Sequence, residues 1–509
     1  MTLFTWFAET ARRHPTLPAL EVGEHRLSYA ELLDAAERVS TRLLETVGDR
    51  PRTVGLLASR SVAAYVGYLA ALRLSASVVP LGPEFPVERN RLISAAAAVE
   101  VVVADDAGVA AASADAAGDV PVAELSGAWW DGLPGRCEHT YPAGPAGVAY
   151  TLFTSGSTGI PKGVPIRHGN LATYLQYTID RYRVGPGSRL SQTFELTFDP
   201  SVFDMFVAWC AGAALVVAEP GDLMAPVRFI NEKQLTHWFS VPSVVSLARR
   251  LRGLRPGCMP NLRWSLFCGE QLTLSQARSW ANAAPDSVVE NLYGPTELTI
   301  TCAGYRLPAE QARWPRTSNG TVPIGRVHPH LDAVVLTEDG RETDDGELCV
   351  RGEQRFDGYL DTAQNEGRFL RFDGGRVTQV RGAPTADSWY RTGDRVRLED
   401  GGLVHLGRLD SQVKIHGYRI ELGEIESVLR CHDRVHDSVV LALPDDRQEL
   451  GLHALYSGDD VNEAELAELV GARLPAYMAP RCYRHVDRFP LNANGKVDRR
   501  RLAAEVGRW

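Results

Sequence analysis

The stretch Thr154-Ser155-Gly156-Ser157-Thr158-Gly159-Ile160-Pro161-Lys162-Gly163 constrains this chain most. It follows a β-like apolar run, Val148 to Phe153, and puts two serines, two threonines, three glycines and one lysine into ten residues. Glycine lets backbone amides approach an anion closely, hydroxyls add donors, and one lysine adds charge. A flexible loop around a nucleotide's phosphates needs those groups. It is not a Walker A loop, because no Gly-Lys-Ser/Thr follows the first glycine at the required spacing. By composition alone a Ser/Thr/Gly loop is more often an ordinary linker, so the rest of the chain has to decide.

At 509 residues the chain predicts more than one domain. An apolar fraction of 44% fits an ordinary globular enzyme. No run of about 18 uncharged apolar residues occurs, so no membrane span is expected. The N-terminus has no basic stretch leading into a long apolar one, which argues against a signal peptide. Eight cysteines without a C-x-x-C pair predict reduced, mostly buried thiols in a cytoplasmic protein, not a metal site or disulfide frame. A net charge of −9 disfavours nucleic-acid binding through a basic surface. A late basic cluster, Arg481, Arg484, Arg488 and Arg499 to Arg501, reads as a solvated surface or as a docking patch for an acidic partner.

The first 400 or so residues alternate short β-rich runs with helical patterns, which predicts α/β architecture with mixed sheets flanked by helices. Ser61 to Leu74 reads as a helix. Ser77 to Leu81 and Val101 to Ala104 read as strands. Ala107 to Gly118 reads as a surface helix or loop. Near Gly407-Arg408-Leu409-Asp410 the character changes to a small α+β pattern. It has strands at Gln412–Ile415, Ser438–Ala442 and Cys482–Val486, and helices at Gly423–Arg430 and Asn462–Arg473. The expected domains are therefore 1–409 and 410–509.

Further motifs stand in order along the chain. They are Leu27-Ser28-Tyr29-Ala30-Glu31-Leu32, Phe198-Asp199-Pro200-Ser201, Asn291-Leu292-Tyr293-Gly294-Pro295-Thr296-Glu297 and Gly346-Glu347-Leu348. Tyr390-Arg391-Thr392-Gly393-Asp394, Gly407 to Asp410, Lys414-Ile415-His416-Gly417-Tyr418-Arg419, Leu474-Pro475-Ala476-Tyr477-Met478 and Asn494-Gly495-Lys496 follow. Each alone is weak. Together, in this order, they resemble the adenylate-forming superfamily of acyl-CoA ligases, luciferases and nonribosomal peptide adenylation domains. The resemblance covers nearly the whole chain and is nearest to stand-alone amino-acid-activating enzymes. Neither a carrier domain nor a condensation domain is legible, so the expected partner is a phosphopantetheinylated carrier protein acting in trans.

The resemblance implies ATP and Mg²⁺ as cofactors and two half-reactions, adenylation of a carboxylate and transfer to a thiol. It implies that Thr154, Ser155, Ser157, Thr158 and Lys162 hold the β- and γ-phosphates. Thr296 would contact the α-phosphate and Glu297 would ligate Mg²⁺, a hard oxygen ligand for a six-coordinate ion. Asp394 would accept the ribose hydroxyls, Tyr293 would stack on adenine and Arg408 would contact the ribose. Lys496 would bridge substrate and α-phosphate oxygens, and Asp410 would be the hinge of a mobile C-terminal lid. Read alone, each has an ordinary alternative. Glu297 suits a helix N-terminus, Asp394 a tight turn, Tyr293 a core, and Arg408 and Lys496 a solvated surface.

Asp199 discriminates among acyl groups. In amino-acid-activating relatives the Asp of Phe-Asp-x-Ser pairs with the α-ammonium; its alternative here is a helix N-cap or turn before Pro200. The same alignment gives a side-chain pocket of Pro200, Phe203, Ser240, Leu266, Cys268, Leu292, Ile300 and Thr301. It carries no charge, and Phe203, Leu266 and Leu292 fill volume. A small neutral amino acid is expected, alanine first, with serine, glycine and 2-aminobutyrate as rivals. An acyl-CoA synthetase of the same fold is the alternative. So is a D-alanine:carrier-protein ligase, which Phe267-Cys268-Gly269-Glu270 resembles while Pro200 and Phe203 depart from it. Stereochemistry stays open.

Overall fold

The computed structural model describes residues 1–113, 115–139, 141, 144–156, 161–373, 376–410, 412–444, 450–490, 497 and 499–506. Two largely parallel sheets dominate the N-terminal region. One has nine strands, with Pro18–Val22, Ala214–Val217, Arg189–Gln192, His237–Ser240, Trp264–Phe267 and Val288–Tyr293 running parallel through its centre. The other has six, with Val122–Glu124, Val101–Ala104, Thr53–Leu57, Ser77–Leu81 and Val148–Thr154 parallel and Lys162–Arg167 antiparallel at the edge. Val101–Ala104 and Ala214–Val217 read as continuous apolar runs because both faces are covered.

Two helices explain how they are covered. Val62–Arg73 is buried at every position except Arg73, and Pro200–Ala211 is buried at every position except Ala211. A helix apolar all round belongs in an interior. The early Leu27–Leu32 motif has a structural job: Ser28 and Glu31 form a capping box that starts the helix Tyr29–Val47.

A third, antiparallel sheet carries Leu331–Leu336, Asp345–Gly352, Trp389–Glu399, Phe369–Asp373 and Arg376–Gln379, with Gly402–Arg408 paired to Trp389–Glu399. Sheet partners change after Arg408. Gln412–Ile415 pairs with Tyr418–Glu421, and Val435–Pro444, Leu450–Gly458 and Cys482–His485 form a separate three-stranded sheet. The helices Leu422–Leu429 and Glu463–Gly471 pack on it around Ile420, Ile425, Leu429, Val440 and Leu466, a core of their own. The mixed α/β architecture with a smaller α+β C-terminal part therefore agrees with the expectation; the helices expected at 61–74, 423–430 and 462–473 have ends shifted by one or two residues, and at 107–118 a helix covers only Asp106–Ser113. Among the described residues, no helix is long and apolar enough to cross a membrane.

Candidate active site

The expected site residues gather where the parallel strands of the large sheet end. Ligand crevices of open α/β sheets lie outside the carboxyl ends of the strands. Here Ser240, Leu266, Cys268, Leu292 and Tyr293 stand at or just beyond three neighbouring strand ends. An open cleft of about 530 Å³ lies above them, part of it continuous with solvent. Asp199, Pro200, Cys268, Thr296, Ile300, Asp394 and Arg408 line its core side. Phe203, Ser240, Leu266, Leu292 and Thr301 are buried but do not line the open cleft. Phe203 packs against Phe239, with ring centroids 4.9 Å apart, and Tyr174 bonds Thr301 through its hydroxyl at 2.9 Å.

Asp199 occupies the N-cap position of Pro200–Ala211, yet its side chain makes no capping bond. It is 3% exposed, and Oδ2 finds no hydrogen-bond partner among the described residues. Burial pushes its carboxyl up to about 7, against the opposing pull of Lys414 and the Thr296 hydroxyl. A capping role would have used that oxygen, so the geometry favours a ligand.

Glu297 is fully buried and strongly acidic. Burial alone would raise its carboxyl, but the Arg419 guanidinium and the Tyr359 hydroxyl hold it down at about 2. Arg419 Nη1 lies 2.9 and 2.8 Å from the two carboxylate oxygens, and Tyr359 donates at 2.6 Å. Asp394 lies in a strand, not a turn. Its oxygens accept from Tyr293 (2.6 Å), His405 (3.1 Å) and Arg408 (3.1 Å). Despite burial, the charges of Arg408 and Lys414 and the His405 hydrogen bond keep its carboxyl below the usual range. Arg408 is accordingly no surface arginine, since it also grips Asp410 at 2.8 and 2.6 Å.

Of the phosphate-loop candidates, Thr154 pairs with Lys162, at the facing ends of the antiparallel strands Val148–Thr154 and Lys162–Arg167. Lys162 is buried, which lowers its ammonium's pKa. Ser155 donates to the Arg419 carbonyl at 2.7 Å and accepts from the Glu421 amide at 3.0 Å. Ser157, Thr158 and Lys496 lie outside the described residues.

Several groups complete the cleft from the C-terminal side; the resemblance implied only that the face around Gly417 is presented to the thiol, and gave Gln412, Lys414 and Arg419 no role. Gln412, Lys414, Gly417 and Arg419 line it. Gly417 has φ +85°, and a Cβ there would stand 2.6 Å from Val241, so only glycine makes this approach. Its amide donates to Glu270, which also takes the Ser243 amide. Tyr418 stacks on Tyr477 at 3.9 Å. The motif Lys414 to Arg419 flagged the segment; nothing local in it named the partners.

A family model of AMP-binding enzymes matches residues 7–360, and one of the AMP-binding enzyme C-terminal domain matches 424–496. The chain belongs to the AMP-binding enzyme family. It is therefore an AMP-forming ligase of the adenylate-forming class. It is 33% identical to an L-proline--[L-prolyl-carrier protein] ligase of Streptomyces coelicolor, over 98% of this chain and 95% of that one. It is 34% identical to phosphinothricin tripeptide synthetase PhsC of Streptomyces viridochromogenes over 98% of this chain, but spans only 45% of that relative's length. The Vibrio cholerae adenylation domain AlmE, solved in complex with glycyl-adenosine-5'-phosphate, superposes with a TM-score of 0.84 at 26% identity, covering 100% of this chain and 98% of that one.

Proposed function

We propose that this enzyme, acting in the cytoplasm, adenylates a small neutral amino acid, alanine first. It then passes the aminoacyl group to the phosphopantetheine thiol of a carrier protein in trans, in natural-product assembly. The observation carrying this reading is Asp199, a buried carboxylate at the cleft with an unsatisfied oxygen. An ionised carboxylate in such a place is costly without a cation, and an α-ammonium is one that fits. A fatty or aryl acid offers none, which counts against the acyl-CoA synthetase alternative. The carrier-protein ligase relative and the glycyl-adenylate held by AlmE support an amino acid substrate and its small size.

In the first half-reaction the substrate carboxylate oxygen bonds to the α-phosphorus of ATP, and the bond to the β-phosphate bridge breaks. Thr154, Ser155, Ser157, Thr158 and Lys162 would hold the leaving pyrophosphate, Thr296 the α-phosphate, and Lys496 the approaching oxygens. Positioned donors and charges of this kind stabilise the transition state. Tyr293, Asp394 and Arg408 would fix the nucleoside. Glu297 fits a magnesium ligand. It is buried, ionised and already matched to a cation, and one carboxylate plus phosphate oxygens and waters is the usual set for this ion. Bound there, Mg²⁺ would supply charge neutralisation. In the second half-reaction the thiol sulfur attacks the acyl carbonyl, AMP leaves, and the thiol proton passes to solvent.

Amino-acid-dependent exchange of pyrophosphate into ATP, run across small L- and D-amino acids, tests this. Alanine should give the highest kcat/KM. Exchange driven instead by fatty or aryl acids would overturn it.

A further inference from the structure

Two consecutive residues, Thr299 and Ile300, hold positive φ angles of 59° and 71°. Both are β-branched, so this backbone is strained, and it persists only where the surroundings over-determine it. Gln354 does much of the determining. It is fully buried, and its side-chain nitrogen faces three carbonyls of the turn: Leu298 at 3.1 Å, Thr299 at 3.3 Å and Thr301 at 2.8 Å. In return Thr299 donates its hydroxyl to the Gln354 carbonyl at 2.5 Å. Three acceptors around one group admit only the amide's NH₂ there. The amide oxygen therefore faces the other way, where His328 Nδ1 at 3.1 Å and His330 Nε2 reach it. Both ring nitrogens have to donate, so the two histidines lock the amide in the orientation that the turn needs.

The segment carrying Gln354 is itself braced. Asn170, on the helix His168–Tyr182, donates to the carbonyls of Glu353 and Arg355 at 2.7 and 3.1 Å. Tyr174, one turn further along that helix, bonds the Thr301 hydroxyl. The turn also rests on Gly294, where a Cβ would stand 2.6 Å from the Thr301 Cα. Ile300 and Gly294 both line the cleft. The strained turn is thus one wall of the cleft, and the amide that holds it lies outside the cleft lining.

We propose that Gln354 is a positioning residue for amino acid selection. Its amide holds the Thr299–Ile300 turn in the left-handed region and so fixes Ile300 and Thr301 where the substrate's side chain ends. Without the clamp the turn relaxes, the wall moves, and size discrimination weakens. The inference rests on the reading of Ile300 and Thr301 as pocket wall.

Pyrophosphate exchange with alanine and with valine tests it in wild type and Gln354→Met, which keeps the side chain's length and removes its hydrogen bonds. Thermal melting confirms folding. The preference for alanine over valine in kcat/KM should fall about tenfold, the scale on which a pocket wall discriminates methylenes. KM for alanine should rise, while KM for ATP stays within about twofold, which separates loss of amino acid binding from general damage. Wild-type selectivity in the folded variant overturns the inference, and so does a parallel rise of both KM values. If Gln354→Met does not fold, His330→Ala decides in the same way. It sits at a half-buried position outside the turn and removes one of the two donors that lock the amide. Ile300→Ala separates the layers. Unchanged selectivity there overturns the pocket assignment and this inference with it. Changed selectivity there, beside wild-type selectivity in folded Gln354→Met, overturns the inference alone.

Discussion

Arg408 grips Asp410 through two parallel hydrogen bonds while its third nitrogen reaches Asp394. The strand Gly402–Arg408 is thereby tied to Asp410, just beyond its end. Sheet partners change across this point, from Trp389–Glu399 to Tyr418–Glu421. A hinge of a few element-terminal residues absorbs large dihedral changes. Asp410→Pro fixes φ near roughly −65° and releases Arg408 from its partner. Single-turnover measurements should show transfer from supplied aminoacyl-adenylate slowed at least about tenfold more than adenylate formation, the effect of blocking a gating motion. Equal loss of both steps would contradict a hinge at this position.

Arg419 and Glu297 give a stability prediction. Arg419→Gln leaves a fully buried carboxylate without its cation, which costs about 3 kcal/mol. Millimolar Mg²⁺ should raise the melting temperature of this variant by several degrees more than that of the wild type, because the ion takes the vacated place. The pH dependence has a definite sign. Glu297 has a lowered pKa in the fold, so its contribution is complete above about 4.5 and is lost as pH falls towards about 2. That acid limb should shrink in Arg419→Gln. Identical Mg²⁺ responses in the two proteins would count against Glu297 as the ion's ligand.

Asp199 makes amino acid binding pH-dependent. Its carboxyl titrates near 7 in the unliganded cleft and has to be ionised to pair with an ammonium. The KM for alanine should be flat above about pH 8 and rise up to tenfold per unit as pH falls below about 7. Asp199→Asn should remove this dependence along with most of the activity. A KM for alanine that is constant from pH 6 to 9 would contradict the pairing.

Phe203 tests the size of the side-chain pocket. It is 2% exposed and packed on Phe239, Tyr174 and Tyr182. Phe203→Ala should raise kcat/KM for valine or leucine relative to alanine, at a cost of about 3–5 kcal/mol in folding stability. Loss of stability without any gain for larger amino acids would make Phe203 a core residue only.

Much of this arrangement is legible in the sequence because local chemistry carries it. The apolar run Val148 to Phe153 is a strand, the Ser/Thr/Gly stretch follows it, and Asp199 opens a largely apolar helix. Glycine at 417 could be noticed, but its need for close approach to Val241 appears only when the domains meet. The Arg419–Glu297 and Glu424–Gly156 contacts join residues 122 and 268 positions apart. Periodicity and propensity report on neighbours along the chain, so they are silent about such pairs. The same limit applies to Asp394. Its carboxylate could be assigned a ribose, but its present partners arrive from two separate strands, Tyr293 from Val288–Tyr293 and His405 and Arg408 from Gly402–Arg408.

The central claim is that the cleft selects an amino acid through Asp199. The most direct measurement is alanine-dependent pyrophosphate exchange by wild type and Asp199→Ala, with ATP binding followed in parallel. The account predicts that exchange falls at least about a hundredfold, the cost of stranding a desolvated charge pair, while ATP affinity stays within about twofold. Unchanged KM and kcat for alanine in Asp199→Ala would contradict it.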